Sequence, residues 1–144
     1  MSVSTDAILF FGYCWDEENF PFEDVDEEDE TGEEPDMTLA RHQGFDLVPP
    51  DHENYKSDDW GNYFAAKRKF LQEMPVIVVC HCHNDCPMYG IALRESVTKA
   101  HRGDPKRLFF PTPNAVHVFG PILEKLGVEQ PGIASWWLVS YADY

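Results

Sequence analysis

Cysteine and histidine alternate in one short stretch, Cys80-His81-Cys82-His83, and a further cysteine, Cys86, follows three residues later. Thiolate sulfur and imidazole nitrogen are the ligands that Zn²⁺ prefers, four of them in a tetrahedron. Cys80, Cys82 and Cys86 can supply three ligands. The fourth can come from one of the remaining histidines or cysteines: His83, His101, His117 or Cys14. The spacing therefore predicts a zinc site at Cys80, Cys82, His83 and Cys86, with small buried cysteines as the alternative, because the C-x-x-C pairs of a zinc ribbon are missing.

The same stretch also has the composition of a nucleophilic site. A reactive thiolate needs a neighbouring imidazolium or another positive group. Cys82 or Cys86 beside His81 or His83 meets that requirement, and Asp85 with His83 has the composition of an acid/base pair. The sequence has no glycine-rich nucleophile turn and no evident third residue that would orient the histidine. A cysteine- and histidine-dependent enzyme is therefore a second alternative, and no catalytic residue is assigned.

A β-hairpin is predicted to carry these side chains. Residues 76–79 are mostly β-branched, which favours a largely buried strand. Residues 84–87 have the composition of a turn, and residues 88–93 that of a second strand. Side chains alternate between the faces of a strand. The first two cysteines are therefore expected on one face and the two histidines on the other.

One acidic segment, Asp16–Asp36, holds half of the acidic residues of the chain. It contains 13 of the 26 acidic residues and no lysine or arginine. Without it, the chain has 13 acidic and 11 basic residues, so its formal charge is −2 instead of −15. A block of like charges repels itself, which predicts a mobile loop. Rows of carboxylates can also occupy a basic groove and imitate a phosphate backbone. On that hypothesis the binding residues are Glu23, Asp24, Asp26, Glu27, Glu28, Asp29, Glu30, Glu33 and Glu34; a solubilising loop is the alternative.

The pattern of the whole chain predicts a single α+β domain over residues 1–144. We expect a mixed or mostly antiparallel sheet of about five strands, with two main helices packed on it. Thr112 and Pro113 have the residue types of a helix start, and Gly127 that of a helix end. The predicted strands are 7–15, the two strands of the hairpin, 96–102 and 135–141, and the predicted helices begin at Ser57 or Asp58 and at Thr112.

Composition narrows the classes of function. The chain is 43% hydrophobic and 14% aromatic, which is typical of a globular protein. The first 15 residues lack the basic start and the cleavage site of a signal peptide, which predicts a cytoplasmic protein with reduced cysteines. The longest apolar run is too short to span a membrane. The negative net charge argues against direct nucleic-acid binding.

Four strings of residues carry a resemblance to small acidic proteins encoded by bacteriophages. They are GYCWDEE from Gly12, CPMYGIAL from Cys86, HRGDPK from His101 and WWLVSY from Trp136. The resemblance implies a phage origin and action in the cytoplasm of a host cell, and it brings no catalytic residue with it. Together with the acidic segment, it predicts a non-enzymatic binder or inhibitor of a host nucleic-acid-binding protein with a basic surface.

Overall fold

The computed structural model describes residues 4–15, 21–22, 34–51, 57–83, 86–108, 115–129 and 131–143. The fold is α+β with a five-stranded mixed sheet, which confirms the predicted fold class. No helix within those ranges is both long and apolar enough to cross a membrane. In chain order the elements are β1 Ser4–Cys14, α1 Pro35–His42, α2 Ser57–Glu73, β2 Val76–His83, β3 Cys86–Leu93, β4 Thr98–His101, α3 Val116–Lys125 and β5 Ser135–Asp143.

The chain divides into two compact units. One unit consists of Met1–Phe22 and Pro75–Tyr144, and it contains all five strands and α3. The other unit is Glu23–Met74, which contains α1 and α2. That the two units make one domain stays a prediction.

Strand β1 has neighbours on both of its edges. One edge pairs antiparallel with β5 along residues 4–12. The other edge pairs antiparallel first with β4, at residues 6–9, and then with β3, at residues 12–14. β3 also pairs antiparallel with β2, and the end of β2 runs parallel to β5. β1, β3, β2 and β5 therefore form a closed ring of strand pairings.

A short 3₁₀ helix, Arg94–Ser96, separates β3 from β4 on the same edge of β1. Between the two pairings, two residues of β1 face five residues of the partner chain, so the register shifts by three residues. The hydroxyl of Ser96 accepts a hydrogen bond from the Phe11 N–H at 2.9 Å and donates one to the Leu93 carbonyl at 2.7 Å. This buried hydroxyl thus supplies a partner to a β1 N–H at the interruption.

The inner face of the sheet is apolar and has a period of two residues. Its buried cluster is formed by Ile8 and Phe10 of β1, Val79 of β2 and Ala92 of β3. Burial of such side chains contributes about 1.5–3 kcal/mol each to the free energy of folding. Packing in this cluster therefore holds β1, β2 and β3 together, and the ends of these strands carry the cysteines and histidines.

Two glycines allow β1 and β3 to approach closely. A Cβ on Gly90 would lie 2.7 Å from the carbonyl oxygen of Tyr13 and 2.9 Å from Cζ of Phe10. A Cβ on Gly12 would collide with the carbonyl oxygen of Ile91. Because real Cβ atoms do not come so close to backbone, the junction of these strands requires residues without a side chain.

Aromatic rings pack on the outer face. Phe119 of α3 meets Tyr13 of β1 edge-to-face, with ring centroids 5.3 Å apart, so α3 packs on the sheet. Phe11 and Trp136 make a second edge-to-face contact at 5.5 Å between β1 and β5. Such pairs contribute about 0.5–1.5 kcal/mol beyond the area they bury.

The unit with α1 and α2 has its own aromatic contacts. Phe45, in the chain after α1, lies 5.3 Å from Phe70 and 6.2 Å from Tyr63 of α2, measured between ring centroids. The guanidinium of Arg41 lies over the ring of Phe45 at 5.9 Å. α1 is thus joined to α2 through the segment that follows it.

Several element boundaries differ from the prediction; β4 is Thr98–His101 instead of 96–102, and β5 extends to Asp143. β1 begins at Ser4, because its pairing with β5 extends further than its aromatic residues. β3 begins at Cys86 instead of residue 88, and residues 84–85 of the predicted turn lie outside the described residues. Thr112 and Pro113, the predicted helix start, lie outside the described residues. The N–H groups of residues 118 and 119 bond the Ala115 carbonyl at 3.0 Å, and α3 begins after Ala115. The predicted helix end at Gly127 is confirmed, with a φ of +74°.

Candidate functional site

The predicted cysteine and histidine residues lie at the end of β2. Cys80 and Cys82 are exposed, whereas His81 is buried with 8% of its surface accessible and His83 is half-buried. Cys82 has a φ of +76°, which an L-residue seldom adopts, and it is the residue at which β2 meets β5. The alternation of the strand therefore gives the cysteines to solvent and turns His81 inward.

His81 contacts a cysteine that lies far away in the sequence. Its Nε2 is 3.3 Å from Sγ of Cys14, at the end of β1. Cys14 is opposite Gly90 of β3, and β3 separates β1 from β2. The side chain of Cys14 also packs against the apolar cluster of the inner face.

Burial favours the neutral forms of both partners. It raises the pKa of the Cys14 thiol, against a smaller opposite effect of a hydrogen bond with the Trp15 backbone. Burial also lowers the pKa of His81. Loss of solvation disfavours the charged form of each group, so a thiolate–imidazolium pair is not stabilised here. The contact fits a neutral thiol that donates to the unprotonated Nε2 of His81.

This arrangement bears on one histidine of the nucleophile hypothesis, His81. The side chain of Cys86 lies outside the described residues, so a pair of Cys86 with His83 stays a prediction. The buried histidine contacts Cys14 and not Cys82, and Cys14 has the raised pKa of an unreactive thiol. Sequence patterning alone pointed to neighbours within β2, because nothing in it placed β3 between β1 and β2. The signal available was that Cys14 follows the apolar positions 8, 10 and 12 of β1 at the same period of two residues.

Only part of the predicted zinc site lies within the described residues. Within the described residues there is no group of three or more His, Cys, Asp or Glu side chains that could hold a metal ion. The side chain of Cys86 lies outside the description, although its backbone pairs with His83 across the hairpin. Of the other candidate ligands, His101 has its Nδ1 2.7 Å from a carboxylate oxygen of Asp6, and His117 is exposed on α3.

Within the acidic segment, only residues 21–22 and 34–36 are described. Glu34 is exposed and occupies the N-cap of α1, with Pro35 as the first helical residue. The carboxyl of Asp36 is partly buried, and this burial raises its pKa. The charge of Glu34 raises that pKa further, whereas the charge of Lys67 lowers it. Asp36 also lies in the first turn of α1, where the helix dipole favours a negative charge. The remaining binding residues, Glu23 to Glu33, lie outside the described residues.

A surface groove follows the C-terminal end of α3, where sequence patterning indicated no site. Its volume is about 410 Å³, and its lining includes Leu123, Glu124, Gly127, Val128, Glu129 and Pro131. We call it the α3 groove. Gly127 was the one local signal in the sequence, because a glycine at that position indicates where the chain leaves the helix.

Comparison of the chain with models of protein families, with curated proteins and with solved structures finds no match. The function of this protein is therefore inferred from the charge, burial and contacts of its own residues.

Proposed function

We propose that this protein is a non-enzymatic binder or inhibitor of a basic, nucleic-acid-binding protein of a host cell, acting through its acidic segment. The observation that carries the proposal is the segregation of charge. The segment Asp16–Asp36 has a formal charge of −13, and the rest of the chain has −2. A dense row of carboxylates attracts a basic groove over about a Debye length, 8–10 Å at physiological salt.

The neutral Cys14–His81 pair favours a binding function over cysteine-dependent catalysis. A catalytic cysteine is held as a thiolate by a positive neighbour. At this site burial opposes both charges. The contact between Cys14 and His81 therefore has the character of core packing.

The experiment is capture of host proteins at low and at moderate salt with two variants of equal charge. The first variant neutralises four consecutive residues of the segment: Asp26→Asn, Glu27→Gln, Glu28→Gln and Asp29→Asn. The control neutralises four exposed acidic residues elsewhere: Asp46→Asn, Asp59→Asn, Glu73→Gln and Glu95→Gln. Both variants change the formal charge from −15 to −11. Neither set includes a residue of α1, so the helix that begins at the end of the segment keeps its first turn.

We expect a basic partner that is lost as salt rises, that the control retains and that the segment variant loses. Each exposed pair of charges contributes about 0.2–1 kcal/mol, so four charges together lower the affinity by about fourfold to several hundredfold. Equal binding by the two variants would show that net charge, and not the segment, attracts the partner. That result would reject the proposal.

A small zinc-binding domain is the second candidate. Its support is the register of the hairpin, which puts His83 opposite Cys86 and Cys82 opposite Pro87. Cys80 and Cys82 are exposed in the same strand. Metal analysis of protein purified without added zinc tests this candidate. Less than about a tenth of an equivalent would remove it, because structural zinc is normally retained through purification.

A further inference from the structure

The α3 groove has an apolar floor whose shape is fixed by the end of the helix. Leu123 is buried with 4% of its surface accessible, and Val128 is half-buried. The N–H of Val128 bonds the Leu123 carbonyl, and that of Gly127 bonds the Glu124 carbonyl, both at 3.0 Å. These are the two hydrogen bonds of a Schellman motif, with glycine at the left-handed position. The backbone of the groove is therefore internally satisfied, and its side chains determine what it can bind.

Both charged side chains of the described lining are negative. Glu124 and Glu129 line the groove, and both are exposed. The C-terminal end of a helix carries about half a negative charge, so Glu124 adds a like charge where the dipole favours a cation. Lys125 is the one basic residue in this last turn. A positive group in the groove would be attracted by both carboxylates and by the negative end of the helix.

An arginine or lysine side chain meets both properties at once. Its methylene stem can cover the apolar floor, while its charged end reaches the carboxylates. Arginine has the additional advantage of a planar group that binds a carboxylate through two hydrogen bonds. A helical glycine, Gly120, opens one wall, since a Cβ on it would meet nothing within 4 Å.

We propose that the α3 groove binds an arginine or lysine side chain from an apolar-flanked segment of the partner protein. This inference rests on the proposed function, because it assigns the groove to the same basic partner. It adds a second contact, in the unit that contains the sheet, to the contact made by the acidic segment.

The test is an NMR titration of the ¹⁵N-labelled full chain with a small probe. The probe is the tripeptide acetyl-Leu-Arg-Leu-amide, and the control probe replaces arginine by citrulline, which has the same shape without the charge. The groove variant is Glu124→Gln with Glu129→Gln. Its matched control is Glu73→Gln with Glu95→Gln, which removes two exposed charges elsewhere. Gly120→Leu is a further variant that narrows the groove and keeps both carboxylates.

We expect the arginine peptide to shift the amides of Gly120, Gly127 and Val128 with millimolar affinity, and the citrulline peptide to bind more weakly. Loss of two exposed ion pairs lowers the affinity of the groove variant by about 2- to 30-fold. The matched control should bind as the natural protein does, and Gly120→Leu should weaken both peptides. The segment variant described above should retain all of these shifts.

Several results would overturn the inference. One is the absence of shifts at the groove, and another is equal binding of the two peptides. A third is loss of the shifts in the segment variant, which would mean that the acidic segment alone attracts the probe. A dimer in sedimentation that disappears in the groove variant would assign the groove to a second copy of the chain. Intact peptide binding without any captured host protein would reject the proposed function and leave the cation-binding chemistry of the groove in place.

Discussion

Protonation of His81 should destabilise the fold as the pH falls. The imidazole is buried, and its Nε2 is 3.3 Å from the Cys14 thiol. A proton on Nε2 would place a positive charge where it is poorly solvated. It would also leave two hydrogen-bond donors, the Nε2–H and the Cys14 thiol, facing each other without an acceptor. Burial accordingly lowers the pKa of His81 from its ordinary value of 6.5.

The sign and size of the effect follow from proton linkage. Below pH 6.5 the unfolded chain binds a proton at this residue more readily than the folded chain does. The free energy of unfolding is therefore full above pH 6.5 and falls by up to about 1.4 kcal/mol per pH unit below it, until the pH reaches the lowered pKa of the folded state. Between pH 7.0 and 5.5 the loss from His81 is at most about 1.3 kcal/mol.

Urea denaturation at a series of pH values measures this loss. His81→Gln keeps a hydrogen-bond acceptor for Cys14 but has no proton to gain, so its stability should depend less on pH in that window. His117→Gln is the control, because His117 is exposed on α3. The carboxylates, which titrate mainly below pH 5, are common to all three proteins. The same pH dependence in His81→Gln and in the natural protein would refute the reasoning, since it would mean that His81 takes up a proton equally in both states.

Three further predictions concern the junction of the strands. Gly90→Ala should lower the free energy of unfolding by about 1–3 kcal/mol in urea denaturation, because its Cβ would press on the ring of Phe10. Ser96→Ala should cost about 1–3 kcal/mol, because a buried N–H of β1 loses its acceptor, and hydrogen exchange at that N–H should quicken. Iodoacetamide should modify Cys80 well before Cys14, as followed by mass spectrometry, because Cys80 is exposed and burial raises the pKa of Cys14; equal rates would contradict this burial.

Local chemistry predicted most of the elements but not the pairing between them. β2 was predicted from the β-branched run at residues 76–79, and the end of α3 from the glycine that follows it. Both signals depend only on neighbouring residues. The contact of β1 with both β3 and β4 depends on residues about 80–90 positions apart. It also depends on a three-residue shift of the pairing register at Arg94–Ser96. The sequence does not predict this shift, because these three residues include no glycine or proline.

In the candidate site, too, the local features were predictable and the long-range contacts were not. The exposed cysteines and inward histidine of β2 agree with a simple alternation of faces. The partner of His81 is Cys14, and only the placement of β3 between β1 and β2 brings the two together. The α3 groove depends on where the chain turns after Gly127, which brings two glutamates from a helix and a loop to one lining. Neither glutamate belongs to a charge run, so composition alone gave no indication of them.

The acidic segment and the α3 groove are different kinds of negative feature. The segment is long and dense in charge, which favours fast, salt-sensitive encounter with any basic surface. The groove has two carboxylates over an apolar floor, which favours one side chain in one orientation. Two weak contacts with the same partner multiply their affinities through a high effective concentration. Neutralising both features should therefore weaken capture by more than either change alone, and the change in binding free energy from the double variant measures whether they act together.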